Sequence, residues 1–257
     1  MRIQTISSAL RISALRRNAV SLKTVVLAVQ TLILIFCYCS VFAQVHTNHK
    51  ATLTIDGKQL YSSSIQFSRQ GDTTRRLTAY FDHTQRLVRA ETTLFREKPL
   101  ALYSNIIDDY RNGEHIRLTA SGNSYTIQRR KKSDAALEEK TMTAENAIVG
   151  ALLGERVAQA VPQIIRGEEV QFPLAIPYLG ISTTMKLVKT GTETIKGKGC
   201  IIAKLEASNF LLRAVVGEAS YFAFEQSKPY RLIRYTGLLG IPSPEGSQQS
   251  GIADTHY

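Results

Sequence analysis

The sequence has no tryptophan and only three cysteines in 257 residues. Two of them, Cys37 and Cys39, lie in the first 43 positions, so a chain processed after that segment keeps Cys200 alone and forms no internal disulfide. Also missing are a Gly-x-Ser-x-Gly elbow, a Walker loop and a His-Glu-x-x-His helix, and no Cys-x-x-Cys pair follows residue 43. Each absence removes a familiar way of building a nucleophile, a nucleotide site or a zinc site. No catalytic residue, metal site or cofactor is expected. Beyond residue 43 there is no long apolar run, which excludes a multi-span membrane protein.

What is abundant is positive charge, with 32 Lys and Arg against 21 Asp and Glu, or +11 in all. Divided along the chain, the excess loses its suggestion of nucleic acid. Arg2, Arg11, Arg16, Arg17 and Lys23 face no acid in residues 1–43, and the other 214 residues carry only +6. A mild preference for anionic surfaces follows from that balance, and no more.

Residues 24–43 are uncharged and follow a purely basic stretch, the order used by secretory signals. Val41 and Ala43 before Gln44 offer a cleavage site, so 1–43 reads as a signal peptide. The alternative is a retained anchor, since twenty helical residues at about 1.5 Å each would span a hydrocarbon core of about 30 Å. Either way the basic flank stays inside, and residues 44–257 are expected outside the cytoplasm, periplasmic or extracellular.

From residue 51 onward, short β-like runs alternate with turn residues. Asp56-Gly57 and Asn112-Gly113 are hairpin dipeptides, because these residues tolerate positive φ. Residues 76–81 show period two, with Leu77, Ala79 and Phe81 on a dry side and Arg76, Thr78 and Tyr80 on a wet one. The period changes between 144 and 165. There Val149, Leu152, Leu153, Val157, Ala160, Val161 and Ile164 fall on one helical stripe, and Thr143 is placed to cap it. A polar seam at 131–143 precedes the helix as a loop or a first helical turn. A second β series runs from 168 to 236, including 211–216. Residues 241–257, rich in Ser, Gln, Gly and Pro, are expected to be a disordered tail.

These patterns predict a single mainly β (α+β) domain over 44–240. Its favoured form is a curved antiparallel sheet, or half-barrel, with one inserted helix near 144–165; a closed barrel with an external helix is the alternative. Phe67, Phe81, Phe95, Tyr125, Phe172, Phe222 and Phe224, with Leu153 and Val157 of the helix, are candidates to line an apolar pocket on the concave side. The competing reading makes the same residues plain core. Arg129, Arg130, Lys131 and Lys132 form the densest basic run, a candidate surface for anionic partners or a solvated strand end that discourages edge pairing. No aromatic series accompanies the run, so nucleic acid is not an expected partner. Cys200, followed by Ile201 and Ile202, reads as a buried thiol, and Asp108-Asp109 as a solubilising pair on opposite strand faces.

Three stretches carry a family likeness: Leu77-Thr-Ala-Tyr-Phe-Asp82 with Arg86-Leu-Val-Arg-Ala-Glu91, then Tyr110-Arg-Asn-Gly-Glu114, then Tyr230-Arg-Leu-Ile-Arg-Tyr235 before Gly237. Over residues 50–240 the chain resembles exported Gram-negative proteins of unknown function with a curved sheet, one insertion helix and a closing hairpin. Their architecture is similar to that of periplasmic lipoprotein carriers, which hold lipid in a half-barrel. The resemblance implies a hydrophobic or lipid-like ligand and carries over no catalytic residue; a hydrolase is the last-ranked reading. The alternative partner is another envelope protein, met through a strand edge or the basic surface.

Overall fold

The computed structural model describes residues 47–209 and 219–257. The signal segment, and the strand expected at 211–216, lie outside the described residues. The elements are β1 (Thr47–Ile55), β2 (Lys58–Gln70), β3 (Thr73–Asp82), β4 (Leu87–Glu97), β5 (Leu100–Asp109), β6 (Glu114–Ser121), β7 (Ser124–Arg130), β8 (Glu138–Thr143) and β9 (Ile148–Val149). A short 3-10 turn (Gly150–Leu152) leads into α1 (Leu153–Ile165). Then come β10 (Val170–Ile176), β11 (Ile181–Ile195), β12 (Lys198–Ala207), β13 (Ser220–Glu225), β14 (Leu232–Leu238) and β15 (Ser250–His256).

All fifteen strands form one sheet in the order 8-7-6-5-4-3-2-1-15-14-13-12-11-10-9, antiparallel except where β9 runs parallel to β10. Chain geometry requires the sheet to curl. Laid flat, fifteen strands at about 4.8 Å spacing would be about 67 Å wide. Yet β8 at one end and β9 at the other are joined by residues 144–147 alone, a link reaching at most about 18 Å. The ends therefore approach without pairing, and Tyr125 on β7 donates its hydroxyl to the Ala147 carbonyl of the link at 2.6 Å. The result is a mostly β, curved and unclosed sheet with one helix among the described residues.

Tight turns set the register. Asp56-Gly57 and Lys196-Gly197 each put two successive residues at positive φ, the type I′ signature that matches strand twist. Gly71 and Gly122 supply positive φ at the first central position of two further hairpins, as type II′ requires.

Four expectations are corrected. The helix begins at Leu153 and not near 144, because residues 144–149 are drawn out to bridge the sheet ends, and Leu152, not Thr143, precedes it without a side-chain cap. Residues Glu138–Thr143 of the polar seam form β8, not a loop or helical turn. The tail expected to be disordered supplies β15, which sits inside the sheet between β1 and β14 and pairs with both. A strand flanked on two sides is held by main-chain hydrogen bonds, so its scarcity of large apolar side chains does not prevent it. Finally, the wet set of β3 faces inward: Thr78 and Tyr80 are buried, whereas Leu77, Ala79 and Phe81 are only half-buried on the opposite face.

The stripe of α1 docks on the inner face of β10–β13. Val157, Ala160, Val161 and Ile164 pack there against Phe172, Leu187, Leu205, Phe222 and Phe224. At about 1.5–3 kcal/mol for each large side chain removed from water, this layer is a main source of stability. A second cluster joins Phe95, Leu102, Leu118, Tyr125 and Ile127 to Val149 and Leu152. A third gathers Ala51, Leu53, Ile55, Tyr80 and Val88 under Leu239 and Ile241, which tie down the segment between β14 and β15.

Candidate functional site

Between the inner face of β3–β7 and the start of α1 lies a cavity of about 560 Å³, open to solvent on one side. Its roof is made of small residues. Gly150, Ala151 and Gly154 line it, and a Cβ built on either glycine meets no atom within 4 Å. Both glycines are exposed and neither has the positive φ that would demand the residue type, so larger side chains can stand beside the cavity there without backbone strain. Residues 176–178 and the segment 239–248 close two further sides. The floor is divided: Ile107, Ile116, Leu118 and Ile127 are aliphatic, whereas Arg76, Arg89, Glu91, Asn105, Glu114 and Arg129 are polar.

Strand alternation places these groups. Asp109 pairs with Arg89 across β4–β5, Ile107 with Ile116 across β5–β6, and Leu118 with Ile127 across β6–β7, so the odd residues of β4, β5 and β7 share a face with the even residues of β6. Charged groups inside a sheet must find partners, and three clusters supply them. Arg76 donates to Glu91 at 3.1 Å, to Glu155 of α1 at 2.5 Å, to Thr93 and to the Ala151 carbonyl. Asn105 also donates to Glu91, at 2.8 Å. Arg129 donates to Glu114 at 2.7 Å and to the Tyr178 hydroxyl at 2.7 Å. Asp109, fully buried, accepts from Arg111 Nε at 2.9 Å and Nη2 at 2.5 Å, and from Arg89 at 3.4 Å.

The electrostatics follow from this pairing. Burial disfavours the charge on Arg76, but Glu155 and Glu91 outweigh it and hold the guanidinium above its ordinary pKa. Burial likewise opposes ionised Asp109, yet hydrogen bonds from Arg111 and the charges of Arg111 and Arg89 keep its carboxyl below the usual aspartate range. Arg129 is raised in the same manner by Glu114 and Tyr178, against its burial. Arg76 Nε, Arg89 Nε and Glu155 Oε2 are buried without a hydrogen-bond partner among the described residues.

The sequence-predicted residues fall elsewhere. Phe95 and Tyr125 are buried in the second cluster with Phe67 at its margin; Val157, Phe172, Phe222 and Phe224 are buried in the helix layer with Leu153 beside it; and Phe81 is half-buried on the outer face of β3. None of these nine lines the cavity. The basic run is divided by alternation and by the end of β7: Arg129 turns inward to Glu114, Arg130 points to the exposed side, and beyond the strand Lys131 pairs with exposed Glu138 at 2.8 Å while Lys132 is exposed. Asp109 is not solubilising but buried, while Asp108 meets His115 on the other face at 2.8 Å. Cys200 is fully buried, and burial pushes its thiol pKa up. Sequence reading missed Arg76, Arg89, Glu91 and Glu114. The available signal was a pair of charges two apart on one strand face, Arg89 and Glu91, followed on that face by Thr93, which lies opposite Arg76 on β3 and Asn105 on β5. Among the described residues no cluster of three or more His, Cys, Asp or Glu side chains has the arrangement to hold a metal ion, and no helix is long and apolar enough to cross a membrane.

No protein-family model matches the chain, and no curated protein matches it in sequence. Similar solved structures include a β-barrel-like protein of the domain of unknown function DUF1849 from Brucella abortus, 9% identical, with a TM-score of 0.37 over 82% of this chain and 96% of that one. A DUF1329 family protein from Desulfovibrio piger is 9% identical, with a TM-score of 0.27 over 84% and 86%. An outer membrane lipoprotein-sorting protein domain from Vibrio parahaemolyticus is 7% identical, with a TM-score of 0.26 over 82% and 80%.

Proposed function

We propose that this protein is an exported, non-catalytic binding protein of the cell envelope that takes a lipid-like ligand on the concave side of its sheet. The observation that carries this reading is the cavity under α1: about 560 Å³, within the roughly 300–1,000 Å³ typical of small-molecule sites, with an aliphatic strip beside a polar end. An amphiphile fits that division. Export rests on the basic, then apolar, order of residues 1–43. The pocket-lining set proposed here is Ile107, Ile116, Leu118 and Ile127, in place of the aromatic side chains that pack the core.

Native mass spectrometry and lipid extraction of gently purified protein from the periplasmic fraction test both parts. The expected result is a co-purifying lipid at about one equivalent, lost when Gly154 is replaced by Leu. Recovery of the mature chain from the cytosol, or a ligand-free protein that also fails to take up added amphiphile, would overturn the reading. An assembly factor acting through a sheet edge predicts protein crosslinks in cells instead of bound lipid. The exposed, charged β8 works against that alternative, because charged edges resist added strands.

A further inference from the structure

We infer that the polar end of the cavity binds the anionic head of an amphiphile, a carboxylate or a phosphate, through the guanidinium of Arg89. The inference rests on the cavity being a binding site and adds the chemical class of what enters it.

Three arginines line the cavity, and they are not equivalent. Arg129 is engaged by Glu114 and Tyr178, and Arg76 by Glu91, Glu155, Thr93 and the Ala151 carbonyl. Arg89 has a single long contact, 3.4 Å to Asp109 Oδ2. That carboxylate is already gripped by both Nε and Nη2 of Arg111, and by the Arg111 backbone N–H at 3.1 Å. One negative charge thus serves two guanidiniums, and the local balance around Asp109 is one positive charge in excess.

The Arg89 side chain is only 7% exposed, and its Nε lacks a partner among the described residues. A guanidinium carries five donors in a fixed fork, and burying it with most of them unused is costly unless an anion completes the set. The fork matches a carboxylate or a phosphate in two parallel hydrogen bonds. The other carboxylates on this wall do not compete, since Glu91 is held by Arg76 and Asn105 and Glu114 by Arg129. Glu155 has its own buried oxygen without a partner, but it does not line the cavity. From Arg89 and Asp109, the paired Ile107 and Ile116 and then Leu118 and Ile127 continue an aliphatic strip along the same wall, where a hydrocarbon tail would lie.

The test is titration calorimetry of the full exported protein with dodecanoate, dodecyl phosphate, dodecanol and inorganic phosphate, repeated with Arg89→Gln and Arg89→Lys. The expected result is that one or both anionic amphiphiles bind at least about tenfold more tightly than dodecanol. The stronger of the two identifies the head. Arg89→Gln removes the preference while dodecanol binding persists, and Arg89→Lys keeps part of it. Equal binding of the charged and neutral amphiphiles by the unsubstituted protein overturns this inference and leaves the lipid-binding reading standing, whether or not Arg89→Gln folds. An unchanged preference in Arg89→Gln also overturns it. Binding of no amphiphile overturns both readings, and inorganic phosphate binding as tightly as dodecyl phosphate overturns the role of the tail.

Discussion

Beneath α1, strands β10–β13 present Phe172, Leu187, Leu205 and Phe222, whereas β4–β7 present Arg89, Glu91, Asn105, Glu114 and Arg129. The two inner faces belong to one continuous sheet, yet the first is dry and filled, whereas the second packs Phe95, Leu102 and Tyr125 against Val149 and Leu152 and leaves a partly charged hollow beside them. The dry face meets the stripe of α1 with matching side-chain volume, and every methylene there adds stability. The charged face meets the glycines at the helix start, which offer no volume in return. Buried ion pairs are a poor route to stability, because desolvation offsets much of their attraction. A protein selected for stability alone would have filled β4–β7 with the residues found on β10–β13. Under the proposed function, one half carries the folding and the other the recognition.

The largest test of that division is a truncation on each side. Phe172→Ala should cost about 3–5 kcal/mol in denaturant unfolding, the usual result of emptying a packed site. Ile116→Ala, beside the existing cavity, should cost only about 1–2 kcal/mol, because fewer contacts are lost where space already exists. Equal losses would break the comparison.

Asp109→Asn comes next. It leaves two buried guanidiniums without a counter-charge, at about 3 kcal/mol. Its pH signature is equally specific. Because the folded carboxyl is held below its ordinary value, its stabilisation is fully present above the unfolded pKa of about 3.9 and declines as pH falls below it, through the lower folded value. The unsubstituted protein should therefore lose stability more steeply below about pH 4 than Asp109→Asn does, as read from denaturant midpoints across that range. Parallel profiles would show that Asp109 is not the group that matters.

Much of this fold was legible in the residues, and the reasons are local. Asp56-Gly57 announced its turn because few dipeptides accept two positive φ values, and the stripe from Val157 to Ile164 announced a helix because its period is geometric. Strand β15 was hidden because Ser250–His256 is placed by main-chain pairing with β1 and β14, which leaves little trace in side-chain type. The site was hidden for a different reason. Alternation in β3 was read correctly, but polarity was taken to mean water, and Arg76 in fact faces inward because Glu91 and Glu155 wait there from β4 and α1. Those partners lie 15 and 79 residues away, a distance over which a single sequence gives no pairing signal.

The basic run sharpens the comparison at smaller scale. Arg129→Gln should cost about 2 kcal/mol by leaving buried Glu114 with a weaker donor, whereas Lys131→Gln, whose partner Glu138 is in solvent, should leave the unfolding midpoint unchanged. Equal responses would mean that the end of β7 at Arg130 does not divide the run.

A substitution expected to cost no stability is the most informative about function. Gly154 sits in the first turn of α1 with ordinary backbone angles and open space where a Cβ would be. Leu there replaces a poor helix former with a good one, a gain of up to about 1 kcal/mol, and adds four carbons at a residue that lines the cavity. The melting temperature should hold or rise slightly while the amount of co-purifying or added amphiphile falls to background. The substitutions at Phe172, Ile116, Asp109 and Arg129 perturb packing or buried charge, so a loss of ligand in them could follow from unfolding. Gly154→Leu changes the space while it stabilises the helix, so a loss of ligand cannot be put down to unfolding. Retained binding in a fully folded variant would place the ligand somewhere other than between the helix start and β3–β7, and the division of the sheet into a folding half and a recognition half would fail with it.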